Sequence, residues 1–391
     1  MSEPMSKPMS KHMKIFQENS QKEIAELFKK VREKMRILEE NKIKFFALGI
    51  IFILIITIIY YVKYKMSLYS KNCNTLKKIY SSRPKLISVN ENSPYLLRDF
   101  YIKTAYNCCA SGQFKNDFVG LCALQTCIEQ GVRCLDFEIY SINDEPVIAV
   151  SSVNDFTIKE SFNSIPTSAA FNTIINNAFS ASVCPNPNDP LILHFRLLSS
   201  NTTMYNKLAQ QISSILNSRT LGVDYSFENH GKNLGALPIK NFVNKIIIFA
   251  DASNPLFQKT KLDEYINMAS GTPFMRILPF QNVKFTQDLL LKDFNKKNMT
   301  VVLPDWSAND QNPNFNIARQ YGCQMIGMSF QNFDSNLEHY NAFFDGQRSA
   351  FVLKPENLRF KPIAIKVPEP PPKSYSFASR PIKRDFYDFK I

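Results

Sequence analysis

Histidine is scarce in this chain, four residues in 391, so chemistry that needs more than one imidazole has few places to draw it from. The eight cysteines are too few and too unevenly spaced for a disulfide scaffold or a zinc site, and the adjacent Cys108 and Cys109 match no motif. There is no GxxxxGK(S/T) loop to cradle phosphates and no calcium-binding hand loop, which sets aside P-loop nucleotide chemistry and hand-type calcium sensing. Acidic residues are outnumbered, 34 against 47 Lys and Arg, for a net charge of +13 and a pI near 9.2. The basic residues are scattered rather than gathered on one motif, so no nucleic-acid partner is expected. An anionic lipid surface beside a spanning helix explains them more simply.

What the chain does have is one long run without charge, residues 45–62 (FFALGIIFILIITIIYYV), bounded by Lys44 and Lys63. As a helix it reaches roughly 27 Å, close to the thickness of a bilayer's hydrocarbon core. A long polar segment precedes it and no small-residue cleavage site follows, so it reads as a single transmembrane anchor rather than a cleaved signal. Ahead of it, residues 1–19 open in a low-complexity repeat, MSEPMSKPMSKHM, which cannot pack a core and is expected to be disordered. Ser20 with Glu23 fits a capping box, and Ile24, Phe28, Val31, Met35 and Leu38 follow heptad spacing, so residues 20–44 read as a helix. Three uses stay open for it: forming a homo-oligomer, lying on the membrane surface, or standing as a solvated stalk. Residues 63–94 read as a basic connector containing Ser and Asn.

The remainder is organised around residues 131–138, GVRCLDFE. As a strand this run puts Val132, Cys134, Asp136 and Glu138 on one face and Arg133, Leu135 and Phe137 on the other. Two carboxylates then stand side by side at the strand's C-terminal end, where parallel α/β folds bind their ligands. They read either as a cation or acid/base site or as an exposed acidic strand end. Candidate strands lie at 99–103, 132–139, 146–151, 190–197, 244–250, 274–278, 300–303 and 324–330, with helical apolar spacing at 168–181 and 203–217. Strands alternating with helices indicate an α/β fold.

GVRCLDFE is similar to the X-box strand of eukaryotic phosphoinositide-specific phospholipase C. Residues 99–112 (DFYIKTAYNCCASG) and 189–196 (DPLILHFR) resemble that family's first strand and loop and its fourth strand. Residues 321–331 (YGCQMIGMSFQ) and 350–359 (AFVLKPENLR) resemble its Y box. The resemblance implies a (β/α)8 TIM barrel, with an X half at 95–252, a short linker at 253–272 where the family has a long insert, and a Y half at 273–360. It also implies buried free thiols at Cys134 and Cys323, where the family carries cysteine. No C2-like β domain is found; residues 361–391 form a Pro-rich, basic and aromatic tail, with 366–373 (KVPEPPPK) expected as polyproline II.

The family cleaves a phosphodiester by internal attack of an inositol hydroxyl, which takes a base, an acid and positive charge on the phosphate. Two histidines and a calcium ion held by one Asn and three carboxylates supply these. Carried over by motif, the histidines fall on Tyr106 and Val150, and the calcium-ligand positions on Asn107, Asp136, Glu138 and Arg196. Asp136 and Glu138 also exchange the family's order of Glu then Asp. Tyrosine titrates at about pH 10 and valine not at all, so both proton-transfer posts are vacant. Arg196 puts a permanent guanidinium where a calcium ligand is expected, and the expectation is that it reaches Asp136 and Glu138 and stands in for the cation. No cofactor is then expected, with calcium as the alternative. His194, on the same strand face as Arg196, is the histidine placed to substitute, although a structural histidine is the plainer reading. Phosphate recognition is thinner as well: Phe249 and Asp251 stand in the family's lysine places, Leu278 in that of a tyrosine, and Arg276 alone matches a phosphate-binding residue.

These substitutions lead to the expectation of a membrane-anchored phospholipase C-like protein that has lost turnover and serves as a scaffold or a phospholipid-surface binder. The alternative is a divergent, calcium-independent phosphodiesterase acting on phosphatidylinositol-type lipids through His194, Arg196 and the Asp136/Glu138 pair. A third reading is a coat or envelope component that binds through its heptad helix and Pro-rich tail. The side of the membrane stays open. Within about 20 residues of the span, seven Lys or Arg lie on its N-terminal side against five on the other, too small a bias to set the topology. Sequons at Asn201 and Asn298 favour an external barrel, and the family's cytosolic workplace argues the reverse.

Overall fold

A computed structural model describes residues 11–156, 159–227, 231–285, 288–307, 311–362, 369 and 378–391. A single helix, α1 (Lys11–Ile79), precedes the barrel, which begins with β1 (Phe100–Ala105), α2 (Leu121–Glu129) and β2 (Cys134–Ile142). The short strands β3 (Glu145–Ile148) and β4 (Ile165–Pro166) follow, then α3 (Thr167–Asn177), β5 (Leu191–Leu197), α4 (Thr202–Gln211), β6 (Ile246–Asp251) and β7 (Met268–Ser270). The second half contains β8 (Met275–Pro279), α5 (Phe280–Phe285), α6 (Asp288–Lys297), β9 (Met299–Leu303), α7 (Phe315–Arg319), β10 (Met325–Met328), α8 (Ser335–Gly346) and β11 (Phe351–Leu353). A terminal hairpin joins β12 (Pro381–Arg384) to β13 (Tyr387–Lys390).

The hydrogen-bonded order β7-β6-β5-β2-β1-β10-β9-β8 is parallel throughout. With β7 and β8 lying beside each other at the seam, it forms a nearly closed TIM barrel. The strand sequences explain why: LILHFRL in β5 and IIIFAD in β6 are near-continuous apolar runs, as expected of strands covered on both faces. Gly131, between α2 and β2, has φ +73, a left-handed conformation that would strain a residue with a Cβ at the turn into β2.

One expected strand is not a barrel stave, and one stave lies where no strand was expected. Residues 146–151 are not a barrel stave; β3 runs antiparallel to β2, with Ile142 opposite Glu145. The two-residue loop Asn143-Asp144 has φ of 52 and 63, the positive pair of a tight hairpin turn, which forces the chain straight back. The missing stave is β7, inside the segment expected to be only a linker. With three residues, Met-Ala-Ser, it is too short to show an alternating pattern.

The N-terminal segment is also built differently. No new helix begins at Ser20, because α1 already runs from Lys11 through that position. It continues past the apolar run, where a connector was expected, as one rod of roughly 100 Å. The stretch after the span contains no Gly or Pro, and packing on the barrel keeps it helical. Leu76 is buried, the Asn72 amide donates to Asp117 Oδ1 at 2.8 Å, the Tyr69 ring meets Phe118 edge-on, and Cys73 is disulfide-bonded to Cys122. That bond is a further departure from the cysteine reading, whereas Cys134 and Cys323 are buried free thiols. Side chains from 22 to 64 are exposed, and α1 is, among the described residues, the helix long and apolar enough to cross a membrane. Within the Pro-rich, basic and aromatic tail, residues 381–390 pair as an exposed hairpin. The disorder expected over residues 1–19 does not hold from Lys11 onward, where α1 has begun, and residues 1–10 and most of the polyproline segment fall outside the described residues.

Phe195 is fully buried against Phe137 and Phe171 between the barrel wall and α3. Phe195→Ala is expected to cost about 3–5 kcal/mol, read as a lowered denaturation midpoint of the full chain in detergent.

Candidate functional site

The parallel register of β2 and β5 builds the centre of the barrel. It sets Asp136 opposite His194 and Glu138 opposite Arg196, all four buried. Asn107 follows β1 in the left-handed region, at φ 45, a conformation that asparagine tolerates better than most residues. The turn aims its backbone N–H at Asp136 Oδ2 (3.1 Å) and its side-chain amide at Glu138 Oε1 (2.9 Å).

Arg196 lies in the middle. Its Nε donates to Asp136 Oδ1 (3.0 Å), Nη2 to Asp136 Oδ2 (2.7 Å) and Asn107 Oδ1 (2.6 Å), and Nη1 to Glu138 Oε1 (2.9 Å). The guanidinium carbon sits 4.7 Å from the Tyr106 ring centroid and 5.1 Å from that of Trp306, so aromatic rings cover the cation. His194 Nδ1 is 2.7 Å from Asp136 Oδ1. Its Nε2 is buried without a hydrogen-bond partner among the described residues. Glu138 also accepts from Tyr140 Oη (3.1 Å) and from the Ser151 N–H (2.9 Å).

Burial alone would raise the Asp136 carboxyl, but Arg196 and His194 outweigh it and hold Asp136 well below the usual carboxylate range. At Glu138 burial wins over Arg196 and raises the carboxyl. Burial opposes the charge of Arg196, yet Asp136, Tyr106 and Glu138 together keep it more firmly protonated than an ordinary arginine. The Tyr106 hydroxyl is pushed up by burial despite Arg196, which takes it further from service as a base.

Of the residues singled out from sequence, the structure brings together Tyr106, Asn107, Asp136, Glu138, His194 and Arg196. Val150 packs into the apolar core and offers only its backbone neighbourhood, since the next N–H, that of Ser151, is the one that reaches Glu138. Arg276 is not brought to the site. Its guanidinium carbon is 3.5 Å from the Phe294 ring centroid on α6, while its strand neighbours Ile277 and Pro279 face the barrel mouth. Three contributors escaped the sequence reading: Tyr140, Ser151 and Trp306. Tyr140 had a usable signal, since it lies two residues after Glu138 and so on the same strand face. Trp306, the chain's single tryptophan, lies just beyond β9.

Above Arg196 the mouth narrows to a cavity of about 170 Å³, lined among others by Tyr106, Trp306, Leu303, Ile277, Asn154 and Asp251. The calcium implied by the resemblance does not fit this donor set. The oxygens of Asn107, Asp136 and Glu138 are already directed at a guanidinium that carries the fourth ligand's place, and a second cation would face its charge. The rim holds Val153, Phe156 and Phe162, which are 42%, 40% and 46% exposed. Lys65 of α1 lies over Phe162 (5.4 Å) and donates to Asn116 O (3.4 Å), so α1 arrives at the mouth end of the barrel from the apolar run three residues earlier.

No protein-family profile matches the sequence, and no curated protein matches it. Solved structures do. The PLC21 crystal structures from S. officinalis and L. pealei each superpose with a TM-score of 0.56 at 19% identity. The fold is that of the phospholipase C barrel. The match covers 69% of this chain and 38% of each PLC21 chain, so this chain spans well under half their length.

Removing the guanidinium leaves two buried carboxylates facing each other. Arg196→Gln is expected to lose about 3–5 kcal/mol at neutral pH. In the wild type the depressed Asp136 stabilises the fold above the ordinary carboxylate pKa and yields that only in strong acid, while the raised Glu138 works in the opposite sense. Without Arg196 both carboxyls rise, so the gap in melting temperature from wild type should narrow as pH falls from about 7 to about 4. Thermal unfolding of both full chains across that range measures it.

Proposed function

We propose that this chain is a membrane-anchored phospholipase C-like protein without turnover, whose barrel acts as a membrane scaffold or a phospholipid-surface binder. The observation that carries the reading is Arg196 locked among Asp136, Glu138 and Asn107. The family's reaction takes a mobile proton on each side of the phosphate and a cation free to meet it. Here Val150 holds no proton, Tyr106 is buried with a raised pKa, and the guanidinium's charge is spent on two carboxylates. His194 is fully buried and bonded to Asp136, which makes it a support for that carboxylate rather than a group within reach of a substrate.

The mouth agrees. A cavity of about 170 Å³ is small beside the roughly 300–1,000 Å³ of ordinary ligand sites, and Asp251 on its wall repels a phosphate. What remains suited to lipid is the rim. Residues 45–62 are read as the single span, and Lys65 holds the apolar rim residue Phe162 immediately beyond it, so the mouth is presented to the bilayer surface. No specific observation favours the phosphodiesterase alternative.

The full chain reconstituted into mixed phosphatidylinositol and phosphatidylcholine liposomes is expected to release neither inositol phosphate nor diacylglycerol, with or without calcium. Turnover abolished by His194→Ala in a folded variant would defeat this reading. A gain-of-ligand variant tests the cation argument separately: Arg196→Glu restores a third carboxylate and is expected to be stabilised by calcium, by about 2.7 kcal/mol at a hundredfold excess over Kd. Calcium should leave the wild-type melting temperature unmoved.

A further inference from the structure

The disulfide between Cys73 and Cys122 ties α1 to the first helix of the barrel. Its two cysteines are brought together by packing as well as by the bond, because Tyr69 on Phe118 and Asn72 on Asp117 hold the same register one turn away. Their Cα atoms are 5.8 Å apart, the ordinary spacing for a bridged pair. We infer that the barrel stands on the oxidising, non-cytosolic side of the membrane, where Cys73–Cys122 is closed and fixes the barrel mouth toward that leaflet. The inference needs the span at 45–62 but not the loss of turnover.

Protein disulfides persist in oxidising compartments and are rare where glutathione and thioredoxin keep thiols reduced. The other six cysteines are buried, and burial raises the thiols of Cys127 and Cys134 and pushes that of Cys323 up to about 12, so they survive such a compartment unpaired. Two sequence features, each too slight to act alone, point the same way. The N-terminal flank of the span carries the larger basic count, seven against five, which favours leaving that flank in the cytosol. Both sequons lie on the barrel side and none precedes the span; Asn201 opens α4, followed by the exposed Thr202 and Thr203.

The consequence for recognition is concrete. Anionic serine and inositol lipids charge the cytosolic leaflet, so the basic helix before the span meets them, while the mouth, with Asp251 on its wall and Arg196 neutralised below, faces the leaflet poorer in them.

The test uses the full chain with an N-terminal epitope in sealed microsomes from a eukaryotic expression host. Protease added outside is expected to remove the epitope and leave the barrel intact until detergent is added. After denaturation, six cysteines should take up a polymer-linked maleimide before reduction and eight after it. Cys73→Ser should show seven in both cases. A mobility shift from a removable glycan, lost in Asn201→Gln, is a further supporting result. Digestion of the barrel in sealed vesicles, or eight adducts without reduction, overturns the inference.

Discussion

A guanidinium inside a barrel has to be answered by anions, and anions inside a barrel have to be answered by a cation; at the centre of this one each supplies the other. Arg196 donates three hydrogen bonds to Asp136, one to Glu138 and one to Asn107, and it is roofed by Tyr106 and Trp306. Taking such charges out of water costs several kcal/mol per ion, which only this density of hydrogen bonds offsets. The same contacts tie the left-handed turn at Asn107 to β2 and β5, and Glu138 uses its other oxygen to hold the loop at Ser151. Structure around the mouth and chemistry at the mouth therefore rest on one side chain.

The fold around that arrangement is that of the phospholipase C barrel. The barrel's parallel order and apolar staves are intact, and they superpose on PLC21 structures at 19% identity. Fold alone does not carry activity, which lives in particular side chains at the strand ends. At these strand ends stand Tyr106, Val150 and Arg196, and around them lie an apolar rim, a narrow mouth and one long helix.

Much of this was legible in the residue order. Seven of the eight barrel staves fell where apolar runs indicated them, and the shared face of Asp136 and Glu138 followed from strand periodicity. The eighth stave, Met268–Ser270, was too short to leave a pattern. The stretch 146–151 alternated convincingly but belonged to a hairpin, for which Asn143-Asp144 was the overlooked sign. Arg276 matched a motif yet turned to Phe294, because motif position does not say which face of a strand looks inward.

The amino-acid order by itself determined the class of fold, the apolar run and the residue types at the strand ends, since these depend on local composition, periodicity and residue type. Only the tertiary structure decided where charges and cysteines meet. The Arg196 network joins side chains from β2, β5 and the turn after β1, and Cys73 finds Cys122 across helices that lie far apart in the chain. Such contacts follow from strand register and helix docking, which no local pattern encodes.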